Sequence, residues 1–155
     1  MDGNQVLFKD GRFHMEGISL CIPDGYYLDM DPKEQWGDVA FELVAPNKTH
    51  RISIHVSYDK FTPGEQLVNM VTEMGAKMLS NPEPLTLAGL HGRIATYISL
   101  RQTYVEAIFS LEDCEEYNAL HLVFVFPQDY DITDFTKSDD YLLIAKQIRK
   151  EAERR

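Results

Sequence analysis

The order in which strand-like runs and helix patterns follow one another is the feature that most constrains this fold. Predicted strands come before and after one capped helix pattern, and a charged helix pattern closes the chain. The main strands are predicted at Ile18–Ile22, Val39–Ala45, Arg51–Tyr58, Arg93–Leu100, Tyr104–Leu111 and Ala119–Phe126, with shorter ones at Val6–Phe8, Phe13–Met15, Tyr26–Leu28 and Leu85–Leu87. Strands joined by short turns pair antiparallel, because a parallel pair needs a long crossover. We therefore expect an α+β fold in which a single antiparallel sheet of about six or seven strands carries a long central helix and a C-terminal helix packed on it.

The two helices have local signals of their own. In Thr62-Pro63-Gly64-Glu65 the threonine can cap free amides, the proline suits the first helical position, and the glutamate completes a capping box. Apolar residues then recur at steps of three and four, which predicts a helix from Thr62 to about Leu79. The closing helix carries Asp139 and Asp140 near its amino end and basic residues towards its carboxyl end, and both biases suit the helix dipole.

Two strand runs differ in which faces they can bury. In Arg51–Tyr58, Ile52, Ile54 and Val56 alternate with polar residues, which indicates one buried face and one wetter face. The run Leu122–Phe126 is apolar on both faces, so it predicts a central strand that is covered on each side.

Composition limits the class of protein and its partners. A chain of 155 residues with 44% hydrophobic residues fits one domain over residues 1–155. Its net charge of −10 repels phosphate backbones, so we expect no nucleic acid partner, whereas a basic protein surface is compatible. No apolar run approaches membrane-spanning length and no basic leader is present, so we expect no membrane insertion and a cytoplasmic location.

Two short segments resemble a known superfamily. Gly17–Tyr26 (GISLCIPDGY) is similar to the "sl.lPdgw" opening, and Leu87–Arg93 (LAGLHGR) is similar to the "l.G..g.r" strand entry, of the superfamily that contains the PsbP photosystem subunits and a Ran-binding nuclear-import factor. Its bacterial members include lipoprotein-type and secretion-chaperone-type domains. The resemblance implies one antiparallel α+β domain that works by binding, as an adaptor or chaperone. It transfers no catalytic residue, and the lipobox cysteine of the lipoprotein members is missing.

No motif for catalysis, a metal or a cofactor is present, which favours a binding domain over an enzyme. The histidines have no ligand spacing, the acidic loop around Asp131 lacks the glycine and glutamate of a calcium loop, and no nucleophile or phosphate-binding motif occurs. We therefore expect a protein or peptide partner and no cofactor. Loop aromatics are common binding anchors, and the candidate contact residues are Tyr26, Tyr27, Asp29, Asp31 and Trp36.

Two alternatives remain open. A small ligand-binding domain or small enzyme could have a pocket between sheet and helix, lined by His55, Tyr97 and His121. The two histidines could share a site only if their strands were neighbours that faced alike. A secretion chaperone that sheathes an apolar segment of a client protein is the other alternative, and it predicts an exposed apolar groove.

Overall fold

The structure is a computed structural model that describes residues 7–9, 12–15, 18–29, 40–46, 50–111 and 118–150. Strands make up most of its secondary structure. Within these ranges the strands are β1 (Leu7–Lys9), β2 (Arg12–Met15), β3 (Ile18–Leu20), β4 (Tyr27–Asp29), β5 (Ala40–Val44), β6 (Arg51–Ser57), β7 (Lys77–Met78), β8 (Glu83–Leu87), β9 (Leu90–Ser99), β10 (Gln102–Ser110), β11 (Ala119–Pro127) and β12 (Arg149–Lys150). The helices are α1 (Pro63–Met74) and α2 (Asp139–Ala145), with a 3-10 helix at Phe135–Lys137 before α2.

The main sheet is antiparallel throughout and has the order β4-β5-β6-β11-β10-β9-β7, with β8 pairing along another part of β9. The predicted fold class, an antiparallel sheet with one central and one C-terminal helix, is confirmed. Strand β11 lies near the middle, between β6 and β10. On one face Leu122, Phe124 and Phe126 are each at most 1% exposed, and on the other face Val123 is 2% exposed. This agrees with the doubly covered strand that the sequence predicted.

A second, smaller sheet was not predicted. It has the order β1-β2-β3-β12, so the amino-terminal strands pair with the last described strand through β3 and β12. The C-terminal helix itself is confirmed, but its expected continuation into the basic tail is wrong, because α2 ends at Ala145 and the chain re-enters a sheet. The guanidinium of Arg12 donates to the carbonyls of Ser19 and Gln147, at 3.2 and 2.5 Å, and so holds this junction.

The central helix begins where the sequence predicted and ends earlier. The side chain of Thr62 accepts from the amide of Glu65, and the Glu65 carboxylate accepts from the amide of Thr62, which completes the capping box. The predicted end at Leu79 is wrong, because Gly75 takes a left-handed conformation (φ 67°) and its amide closes the helix onto the carbonyls of Val71 and Thr72. Lys77 and Met78 then pair with β9 as β7.

The main sheet has two unlike faces, here called the core face and the helix face. The core face carries Ile52, Ile54 and Val56 of β6 and packs in one apolar cluster with residues of β3, the 3-10 helix and α2. On the helix face, α1 contacts β9 and β10, and Leu67 packs with Ala95, Ile108 and Ala119. The polar residues of β6 and β11 also lie on the helix face, so this side of the sheet carries the candidate site.

Candidate functional site

The aromatic and acidic residues first predicted to contact a partner lie in different environments. Tyr26 is 8% exposed, and its hydroxyl lies 2.9 Å from Nε2 of His50, so it belongs to the core. Burial, together with the charge of Asp140, raises the pKa of Tyr26 to about 12. Tyr27 is 48% exposed and remains available to a partner. Asp29 lies in β4, and Asp31 and Trp36 lie outside the described residues.

The alternative set of His55, Tyr97 and His121 is brought together on the helix face. His55 of β6 pairs directly with His121 of β11, and their rings stack with centroids 4.2 Å apart and planes inclined by 16°. Strand β10 lies between His121 and Tyr97, and its Glu106 faces the same side. The condition for a shared site, neighbouring strands that face alike, is therefore met.

A continuous chain of hydrogen bonds links Tyr97, Glu106 and His121 and ends at Ser57. The Tyr97 hydroxyl donates to Oε1 of Glu106 at 2.8 Å, and Oε2 of Glu106 lies 3.0 Å from Nδ1 of His121. Nε2 of His121 lies 3.0 Å from Oγ of Ser57. Because an ionised carboxylate only accepts, Nδ1 of a neutral His121 carries the proton, and Nε2 accepts from the Ser57 hydroxyl. We call this arrangement the polar chain.

Burial sets the electrostatics of the polar chain. Tyr97 and Glu106 are each 2% exposed and His121 is 8% exposed, whereas Ser57 at the end of β6 is partly exposed. Burial, and the Glu106 carboxylate next, raise the pKa of Tyr97, so its hydroxyl keeps its proton and donates. Burial, with a smaller contribution from His121, lowers the pKa of His55 to about 2, so this imidazole is neutral at neutral pH.

Sequence reasoning missed Glu106 and Ser57. The available signal for Glu106 was a carboxylate between Val105 and Ala107 in an apolar strand, a position where an ionised side chain needs a partner. Ser57 gave no comparable signal, because alternating polar residues on a strand are ordinary. Its relation to His121 depends on the register of two strands that are far apart in sequence.

A groove of about 970 Å³ lies between the amino-terminal part of α1 and the strand pair β8–β9. Phe61, Pro63 and Val68 line it from the helix side, and Pro82, Pro84 and Leu85 line it from the strand side. Phe61 is 40% exposed and Val68 is 47% exposed, so apolar surface is open to solvent here. The volume is at the upper end of the range of small-molecule sites.

Neither a metal centre nor a membrane span is found in the part of the chain that the structure describes. No group of three or more histidine, cysteine, aspartate or glutamate side chains in those ranges could hold a metal ion. None of the helices there is both long enough and apolar enough to cross a bilayer.

Comparisons with known proteins give fold similarity at low identity. No family model matches the chain, and no curated protein matches it. A structure from Bacteroides thetaiotaomicron VPI-5482 is similar over 88% of this chain and 46% of its own, with 10% identity and a TM-score of 0.48, so this chain spans less than half of that protein. LpqN of Mycobacterium tuberculosis, which is involved in cell envelope biogenesis, is similar over 85% of this chain and 82% of its own, with 15% identity and a TM-score of 0.46. Neither is described as PsbP-like or Ran-binding, and the predicted resemblance is not confirmed.

Proposed function

We propose that this domain binds an extended polypeptide segment of a partner protein in the groove between α1 and β8. The observation that carries the proposal is the groove itself, which leaves Phe61 and Val68 open beside the prolines of the opposite wall. An exposed apolar surface rimmed by polar residues is typical of an interaction site.

The strand wall of the groove favours an extended occupant. Among the described residues, β8 pairs with β9 alone, so its outer edge offers backbone polar groups to a segment lying alongside it. Pro82 and Pro84 fix the backbone of this wall, which lowers the entropy that binding would have to remove. A preformed wall of this kind suits a segment that is held by its side chains and by a few backbone hydrogen bonds.

Charge favours a basic segment. The chain has a net charge of −10, and although Arg93 also lines the groove, the exposed carboxylates of Glu65 in its wall and Glu83 beside it outnumber that cation. Hydrogen bonds from Thr62 lower the pKa of Glu65, so its carboxyl group is ionised at neutral pH. Lysine or arginine residues flanking an apolar core would therefore speed association and fix orientation.

Fluorescence anisotropy with a fluorescein-labelled peptide of alternating valine and lysine tests the proposal. The unmodified protein should bind this peptide more tightly than a valine and glutamate peptide of equal length. Val68→Arg should weaken binding at least about tenfold, a loss of about 1.4 kcal/mol. Leu143→Arg is the matched control, because Leu143 is 46% exposed on α2, carries the same charge change and lies outside the groove.

Two results would place the function elsewhere. Equal affinities of the Val68→Arg and Leu143→Arg variants, or no saturable binding of either peptide, would contradict binding in the groove. Loss of binding in Tyr27→Ala or Trp36→Ala, with Val68→Arg unaffected, would assign the partner to the aromatic region that the sequence predicted.

A further inference from the structure

We propose that Ser57, His121 and Glu106 form a nucleophilic triad that hydrolyses small carboxylic esters. This activity is separate from polypeptide binding in the groove and does not depend on it. The three side chains come from the neighbouring strands β6, β11 and β10, so their positions are fixed by the two ladders that join these strands. Sites built on strands hold side chains more precisely than sites on loops.

The geometry matches the roles that such a triad requires. A serine becomes nucleophilic when a neutral imidazole accepts its proton and a carboxylate orients that imidazole. Here Oγ of Ser57 lies 3.0 Å from Nε2 of His121, and Nδ1 of His121 lies 3.0 Å from Oε2 of Glu106. Both separations are within the range for direct proton transfer or orientation.

Second contacts hold the base and the carboxylate in place. The Tyr97 hydroxyl donates to the other oxygen of Glu106 at 2.8 Å, which fixes the orientation of the carboxylate. The neutral ring of His55 stacks on His121 and adds no positive charge beside the imidazolium that forms during reaction. Tyr97 and His55 are therefore positioning residues and do not touch the substrate.

Access to the nucleophile limits the class of substrate. Ser57 is partly exposed at the carboxyl end of β6, and the next residue, Tyr58, is 65% exposed. His121 and Glu106 lie behind Ser57 and are almost completely buried. Of the three residues only Ser57 is partly exposed, so a short acyl group suits the triad better than a bulky one.

The chemical step needs no group beyond the ester and water. Oγ of Ser57 bonds to the carbonyl carbon while its proton passes to Nε2 of His121, and Glu106 stabilises the imidazolium. The bond from carbon to the leaving oxygen breaks, and this oxygen takes the proton from His121 to leave as an alcohol. Water then attacks the acyl-serine with His121 as base, which releases the carboxylic acid and restores Ser57.

Labelling with a fluorophosphonate probe, mapped by peptide mass spectrometry, tests the triad. We expect an adduct on Ser57, formed by loss of fluoride, and none in Ser57→Ala. Ser110→Ala is the matched control, because Ser110 lies on the same face two strands away, in the cross-strand row that contains Ala119 and Ser57. That variant should be labelled on Ser57 at the unmodified rate.

Dependence on the base separates a triad from a merely exposed serine. In His121→Gln the rates of labelling and of p-nitrophenyl acetate hydrolysis should fall at least about tenfold. In Glu106→Gln both rates should fall by a smaller factor. Circular dichroism shows whether each variant is folded, and Ser57→Ala remains decisive if the buried substitutions unfold the protein. Absence of an adduct on Ser57, or an adduct rate that a folded His121→Gln variant leaves unchanged, would overturn the proposal.

Discussion

Close backbone approach makes Gly92 one of the least replaceable residues in the main sheet. A Cβ atom there would overlap the carbonyl oxygen of Ile108 and lie 2.8 Å from Cα of Phe109. Gly89, in the neighbouring turn, has φ +80° and no atom within 4 Å of an added Cβ. The two glycines are therefore needed for different reasons, space at Gly92 and backbone conformation at Gly89.

We expect Gly92→Ala to lower the free energy of unfolding by about 3 kcal/mol or more, because β10 must move away from β9 to admit the methyl group. Gly89→Ala should cost about 1 kcal/mol, since only an unfavourable backbone conformation is imposed. Urea unfolding of both variants measures the difference. Equal losses would mean that the strand pair can separate at Gly92 without strain.

Some residues of the candidate site could be predicted from the sequence and others could not. His55, His121 and Tyr97 could be named as one candidate set, because each falls on a predicted strand. Glu106 and Ser57 could not be joined to them, since hydrogen bonding between Ser57 and His121 requires the register of β6 against β11. Residue types and local periodicity carry no information about that register.

At the scale of elements, the start of α1 was predictable and its end was not. The capping box at Thr62 is a local sequence signal, and the structure forms it. The apolar stripe continues through Met74 to Met78, but Gly75 stops the helix and Met78 pairs with Tyr97 in β9. Near the C-terminus, β12 forms by pairing with β3, which is a long-range contact. The basic residues there had instead predicted the carboxyl end of a helix.

The cap of α1 gives a prediction at the same scale. Thr62→Ala removes the acceptor for the amide of Glu65, so it should lower the free energy of unfolding by about 1 kcal/mol. Thr72→Ala is the matched control inside the helix, where the hydroxyl of Thr72 donates to the carbonyl of Val68. Alanine has the higher helix propensity, so Thr72→Ala should be neutral or slightly stabilising. Denaturant unfolding that gave both variants the same loss would rule out a specific role for the cap.

Considered as a whole, the described part of the molecule buries a histidine with a lowered pKa on each side of its main sheet. On the core-face side, His50 packs with Phe126 at a ring-centroid distance of 5.0 Å, and on the helix face His55 stacks with His121. Burial lowers the pKa of both His50 and His55, although the charge of Asp140 raises that of His50 in part. Lowering the pH should therefore destabilise the packing on both faces of the main sheet.

The direction of the pH dependence follows from proton uptake. Above the ordinary histidine pKa of about 6.5, His55 is neutral in both the folded and the unfolded protein, and it adds no pH dependence. Below that pH the unfolded chain binds a proton that the folded protein does not bind until about pH 2. The stability that neutral His55 contributes is thus complete at neutral pH, and it is lost at about 1.4 kcal/mol per pH unit as the pH falls through this window.

Urea unfolding at about pH 7 and about pH 5 measures this loss. From about pH 7 to about pH 5 the free energy of unfolding of the unmodified protein should fall by about 2 kcal/mol more than that of His55→Gln, because glutamine takes up no proton in either state. His91→Gln is the control, since His91 is exposed and should leave the difference unchanged. Parallel losses in the unmodified protein and His55→Gln would mean that the folded protein admits a proton at His55. In that case a positive charge would stand against His121, and the assignment of His55 as a neutral ring stacked on the polar chain would be wrong.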